Sequence, residues 1–159
     1  MDEIISAIRA LLAADGTIAA LYKKIYYGVN PIPADSELPC IEVYPIGTQM
    51  LNLGTASMMN TYTIGVRIKD TLKAFVTNDT NKQVIDHSQD FVQRVENRDS
   101  NGKPDSGTIL RVLHDNRQLS NTASIHEVSG IKYNTRELDK VSMIITAEIN
   151  VTVKKISPR

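Results

Sequence analysis

Apolar residues recur along this chain with two periods, and those periods mark out its elements. Ile4, Ile5, Ile8, Leu11 and Leu12 return at helical spacing, with Asp2, Ser6, Arg9, Ala10 and Ala13 on the other side. That stripe predicts an amphipathic helix. Gly16 is its expected stop, because glycine enters the left-handed C-terminal conformation at little cost. Thr17 is placed to cap a short second turn through Leu21. Lys24-Ile25-Tyr26-Tyr27 reads as a short strand ended by Gly28. From Val29 to Leu38, Pro31 and Pro33 exclude a central strand or a helix interior. Ile41 and Val43 predict a second strand over Pro39 to Ile46. Pro45 lacks a ladder donor, so that strand is an edge or ends there.

Further along, Tyr62, Ile64, Val66 and Ile68 alternate with Thr61, Thr63, Gly65, Arg67 and Lys69, the signature of a half-buried strand. A second amphipathic helix is expected from about Asp79 to Asn97. Its stripe is Val84, Ile85, Ser88, Phe91, Val92 and Val95. Arg98 to Gly107 is turn chemistry throughout, predicting an exposed, mobile loop. Thr108 to His114 reads as a strand of ambiguous facing, and Ser124 to Tyr133 as a weaker strand. Val141, Met143, Ile145, Ala147, Ile149, Val151 and Val153 then alternate with polar residues. At ~3.3 Å per residue this last strand spans roughly 40 Å and outruns a compact core. Ser157-Pro158-Arg159 is expected to fray. The fold class that satisfies these stripes is α+β: a mainly antiparallel sheet with two amphipathic helices on one face.

One segment fits neither period. Gly47 to Met59 carries no charge, yet it holds Met50, Leu51, Leu53, Met58 and Met59. A solvated loop normally carries charge. We read a hairpin or long loop near 47–60 whose apolar side chains are covered either by the domain's own core or by a neighbouring subunit.

Composition narrows the function classes. The 159 residues suit one domain, and 42% hydrophobic with 23% charged is a globular balance. Eighteen basic and eighteen acidic residues cancel. No net field draws the chain to nucleic acid or to a membrane surface, and little self-repulsion opposes association. The single Cys40 excludes an internal disulfide, and its apolar context implies burial. The start at Met1-Asp2-Glu3-Ile4 lacks a signal-peptide pattern, and no apolar run approaches the ~20 residues of a membrane span. A cytosolic product is expected.

Candidate chemistry is sparse. His87 flanks the second helical stripe without a ligand at metal spacing. His114-Asp115 and His126-Glu127 are adjacent pairs, and strand neighbours point to opposite faces. Cys40 has no local nucleophile signature, and the eight glycines form no phosphate cradle. Lys23-Lys24 and Lys154-Lys155 are pairs, not patches. Tyr22, Tyr26 and Tyr27 beside lysines imitate a stacking platform, but a strand with one tyrosine inward explains them more simply. The expectation is a non-enzymatic protein without cofactor, metal or sequence-specific nucleic-acid binding. A cytosolic enzyme or small-ligand domain using His114, Asp115 and His126 is the rival from another class.

The first helix, Lys24-Ile25-Tyr26-Tyr27-Gly28, the Pro-containing loop and Leu38-Pro39-Cys40-Ile41-Glu42-Val43 resemble the opening of tail terminator (tail completion) proteins of long-tailed bacteriophages. The strand Tyr62 to Ile68, the long helix and the final strand follow the same plan. The resemblance implies a hexameric ring in the virion neck, assembled in the host cytoplasm. Such a ring caps the tail tube protein and docks to the head–tail connector protein, with no catalytic residues. It makes Met50, Leu51, Leu53, Met58, Met59, Arg98 and Lys103 candidate contacts with other subunits or the tube. Another head–tail joining or tail tube protein of the same plan is the near alternative.

Overall fold

The computed structural model describes residues 1–29, 34–52, 57–73, 80–121, 123–137 and 142–158. The elements are α1 (Asp2–Ala14), α2 (Gly16–Leu21), β1 (Lys24–Tyr27), β2 (Cys40–Asn52), β3 (Ser57–Lys73), α3 (Thr80–Glu96), α4 (Ile109–Asp115), β4 (Ala123–Glu137) and β5 (Ser142–Pro158), with a 3-10 turn at Asp35–Glu37. The strands form one five-stranded sheet in the order β1-β2-β3-β5-β4. β1 and β2 run parallel, and every other neighbouring pair is antiparallel. The expected α+β class is therefore the observed one.

All four helices contribute to a single core. Ile4, Ile5, Ile8 and Leu12 of α1, Ile18 of α2, Phe91 and Val95 of α3 and Leu113 of α4 pack with Ile41, Val43, Ile64, Val66, Ile68, Ile149 and Val151 of the sheet. Those sheet residues share one face by alternation, so the helices cover that face.

Three local expectations need correction. Gly16 does not stop α1 in a left-handed conformation; it is the first residue of α2. The break lies at Asp15, which is extended, and its carboxylate accepts from Thr17 N and Ile18 N, both at 3.0 Å. An aspartate can end one helix and cap the next in a single residue, so Thr17 is not needed as the cap.

Thr108 to His114 is not a strand. Ile109–Asp115 is helical, with Thr108 Oγ1 accepting from Arg111 N at 3.2 Å. Ile109, Leu110, Val112 and Leu113 stand at helical i, i+1, i+3 and i+4 spacing, and all are buried. Nor does the chain fray at Ser157, because β5 continues to Pro158 with Ser157 paired to Met58.

Pro45 lies inside β2, but the expected edge character holds. β1 flanks β2 only from Cys40 to Val43, ending where Gly28 at φ 88° donates its N–H to Val43 O. Beyond Val43, β2 is the outermost strand among the described residues, where a missing donor costs nothing, and the register shifts between Pro45 and Gly47.

The face of the sheet away from the helices carries an ion network. Glu42 is fully buried, and Lys69 is 5% exposed. Lys69 Nζ lies 2.6 Å from Glu42 Oε1, Arg67 lies 3.5 Å from Glu42 Oε2, and Arg67 also reaches Glu148 at 2.5 Å. Cys40 is buried beside this network, and burial pushes its thiol up to about 11.

The Tyr44 ring lies over Gly65 and under the Arg67 guanidinium, 4.9 Å from the ring centroid. A Cβ on Gly65 would come within 2.4 Å of Tyr44 Cζ. Gly65→Ala is therefore expected to displace Tyr44 from Arg67 and to cost about 1–3 kcal/mol in denaturant unfolding.

Glu37 buttresses the start of β1. Its carboxylate accepts from Lys24 Nζ at 2.5 Å and from Ala34 N at 3.1 Å. Hydrogen bonds from Lys24, Tyr26 and Ala34 hold it down to about 2. A lowered folded pKa gives stability that is present above about 4.5 and fades as pH falls toward 2. The pair is exposed, so the effect is small. In thermal melts, Glu37→Gln should therefore lie slightly below the native chain at neutral pH and converge with it as pH falls toward 2, flattening that part of the acid limb.

Candidate assembly surface

Within the charge-free segment, Gly47 to Asn52 belong to β2 and Ser57 to Met59 to β3, which pair antiparallel; residues 53–56 lie outside those described. Gly47 to Asn52 pair with Met58 to Thr63, and β3 from Ser57 pairs in turn with β5 as far as Pro158. β1 no longer flanks β2 past Val43, and β4 begins only at Ala123 opposite Lys155. Past the Met50–Asn60–Lys155 row the sheet therefore narrows to a short arm of β2, β3 and β5 that carries Leu51, Met59 and Ile156.

Register decides which side chains meet on this arm. Leu51 pairs with Met59, and Met59 with Ile156, so the three form one apolar row across three strands. Alternation places this row on the face carrying Arg67 and Glu148, away from the helices. The preceding row, Met50–Asn60–Lys155, is on the helix side. It marks the limit of the helical layer, since Lys155 Nζ reaches Glu3 of α1 at 2.7 Å.

Exposure answers the question of cover within the chain. Met50 is 74% exposed, Leu51 54% and Ile156 53%. Met58 and Met59 are half-buried against their neighbours. The domain's own core thus does not enclose Met50 or Leu51. Leu53 lies outside the described residues. Ile156 belongs to the same row, and sequence reading missed it. Its signal was its position in the over-long final strand, which only the register converts into a neighbour of Met59.

The other candidates lie elsewhere. Arg98 and Lys103 stand on the loop between α3 and α4. Arg98 Nη1 donates to Gly102 O at 2.9 Å, and Asp99 Oδ1 accepts from the backbone N–H of Asn101 and Lys103 at 2.8 and 3.0 Å. Asn97 donates to Asp105 at 2.6 Å across the base of the loop. Just before it, Glu96 accepts from Tyr133 OH at 2.5 Å. Tyr133 pairs with Ala147, whereas Met59 pairs with Ile156. The intervening length of β5 is about 30 Å. The structure thus does not bring Arg98 and Lys103 together with the apolar row; they belong to opposite ends of the sheet.

Near that opposite end, α1, α2 and β1 enclose an open groove of about 510 Å³, lined by Arg9, Ala10, Ala13, Ala19, Tyr22 and Lys23 among others. Arg9 Nη2 donates to Ile25 O at 2.9 Å, tying α1 to β1. Tyr22 is buried, and its hydroxyl is pushed up to about 12 by that burial.

The residues of the enzyme-type reading are engaged with cations. His114 Nδ1 lies 3.2 Å from Arg117 Nη2, His126 Nε2 lies 3.1 Å from Lys154 Nζ, and Asp115 pairs with Arg111. The side chain of His87 lies outside the described residues. Among the described residues, no three His, Cys, Asp or Glu side chains converge as a metal site, and no helix is long and apolar enough to cross a membrane.

No family model and no curated protein matches the chain.

Proposed function

We propose that this protein is a structural component of a phage tail: a ring-forming tail terminator that caps the tail tube and docks it to the head connector. The observation that carries this reading is the Leu51–Met59–Ile156 row, with Met50 behind it, left uncovered on an arm that outruns its own helical layer. An uncharged, apolar, strand-edged projection is a liability for a monomer and an asset for a subunit. Zero net charge leaves copies free to approach one another.

The local motif behind the resemblance also has a structural counterpart. Lys24–Tyr27 and Cys40–Val43 form the parallel β1–β2 pair, closed by Gly28. In this reading the protein works in the virion neck, is assembled in the host cytoplasm, and needs neither catalytic residue nor cofactor.

The test is arrest of tube growth. Purified chain added to polymerising tube protein should halt elongation and appear at one tube end by electron microscopy. A chain that remains monomeric and never changes tube length would sink the reading.

A second reading, a tube subunit or another head–tail joining protein of this plan, draws on the open β2 edge from Tyr44 to Asn52. A tube subunit polymerises without limit, whereas a terminator stops at a closed ring.

A further inference from the structure

We infer that two copies of this chain join like to like, the β2 edge of one running antiparallel to the β2 edge of the other about a two-fold axis at Met50. Such a contact closes on a pair, so it goes beyond the ring reading and does not depend on it.

The edges of the sheet are unequally guarded. On β1, Arg9 Nη2 donates to the Ile25 carbonyl at 2.9 Å. On β4, Ile125 N donates to Arg117 O and Leu119 N to Ala123 O, so the first residues are already flanked. Further along, β4 carries two register shifts and the exposed His126, Glu127, Lys132, Arg136 and Glu137. Bulges and charges of this kind keep edge strands from pairing. From Thr48 to Asn52, β2 has neither bulge nor ionisable group, and Thr48, Gln49, Met50 and Leu51 are exposed. Among the described residues no strand flanks it there. A second copy therefore meets one open edge, and its own open edge is the same one.

Backbone direction fixes the centre of the pair. Val43 turns its carbonyl outward, to Gly28 N at 2.8 Å, so Tyr44 faces β3 opposite Gly65. The β3 residues that face β2 continue as Thr63, Thr61 and Met59, whose partners are Gly47, Gln49 and Leu51. The N–H and C=O of Thr48, Met50 and Asn52 thus point away from β3, about 7 Å apart. An axis at Met50 sets Thr48 opposite the second copy's Asn52 and Met50 opposite its own counterpart, donor to acceptor throughout.

Side chains and neighbouring elements agree with this axis. On the helix-free face, Leu51 stands beside the second copy's Gln49 and diagonal to its Leu51, within side-chain reach. No charge is stripped of water at the axis. Lys154 and Lys155 stand two strands back on β5, and Lys155 is held by Glu3. β1 is clear of the contact, because Val43 lies seven residues from the axis, about 23 Å, whereas β2 ends two residues past it. Met50 is 74% exposed, so no described helix overhangs the edge.

A charge exchange at Met50 tests the axis. Met50→Lys and Met50→Asp each set like charges against one another across it, on backbones about 5.5 Å apart. By size-exclusion chromatography with light scattering, each variant alone should lose the pair. Mixed in equal amounts, the two should join one to one, since only a two-fold brings position 50 against itself. Thermal melts show that both variants are folded, as an exposed position allows. Met50→Pro removes an outward N–H and no β2–β3 bond, so it should also dissociate the pair. Hydrogen exchange at Thr48 and Asn52 should be slow in the native chain and fast in the Met50→Lys chain. A mixture as dispersed as either variant alone would overturn the inference, as would native-like assembly by both variants. In the second case, tube capping by those particles would leave the terminator reading standing. Rescued pairs that never cap tubes would do the reverse.

Discussion

Leu51→Asp and Met50→Asp are expected to leave the chain folded and to disperse its assembly. Both side chains are more than half exposed, so the folded monomer loses little when either becomes charged. Surface substitutions of this kind shift stability by no more than about 0.5 kcal/mol. An assembly that buries Leu51 loses the transfer energy of its remaining exposed half, about 1 kcal/mol, and gains an unpaired carboxylate at a contact. Together these weaken each contact by about 2–4 kcal/mol, a factor of roughly 30 to 1,000 in dissociation constant. Ultracentrifugation at graded concentrations would show the native species replaced by monomer, while thermal melts of native and variant chains overlay. Unfolding by either change would instead place these side chains in the monomer's own core.

Lys69→Ala should be the most damaging change on the helix-free face. Glu42 is fully buried, and Lys69 at 2.6 Å is its close cation, with Arg67 further off at 3.5 Å. Removing one member of a buried pair costs about 3–5 kcal/mol, because the remaining charge stays out of water. At roughly 2–4 °C per kcal/mol for a chain of this size, the melting temperature should fall by about 10 °C. Removing both charges tests the cause. Glu42→Leu with Lys69→Met leaves no orphaned ion, and the double variant should recover most of the loss. A double variant as unstable as the single one would mean that the network works by packing and not by charge compensation.

How much of this was legible beforehand differs by element, for physical reasons. The alternation in Tyr62 to Ile68 and in the last strand translated directly into β3 and β5, because period two admits few other readings. The helix α4 was missed because its seven residues include the β-branched Ile109 and Val112, and a short apolar run suits either period. Thr108 as a cap was the available signal. Gly16 misled for a different reason: the adjacent Asp15 caps more strongly than a glycine stops.

The candidate site was half visible. An uncharged run containing Met50, Leu51 and Met59 announces itself by composition. Ile156, distant in sequence, joins them only through the register of three strands, which no single segment encodes. The groove was invisible for a similar reason. Ala10, Ala13 and Ala19 become a floor only once Asp15 has turned α2 back against α1 and Arg9 has tied α1 to β1.

The central claim is that this fold leaves an adhesive arm for copies of itself. Light scattering across a hundredfold range of concentration addresses it most directly. The account predicts one closed species whose mass is a fixed multiple of 17.6 kDa and does not grow on concentration. A mass of 17.6 kDa at every concentration would contradict it.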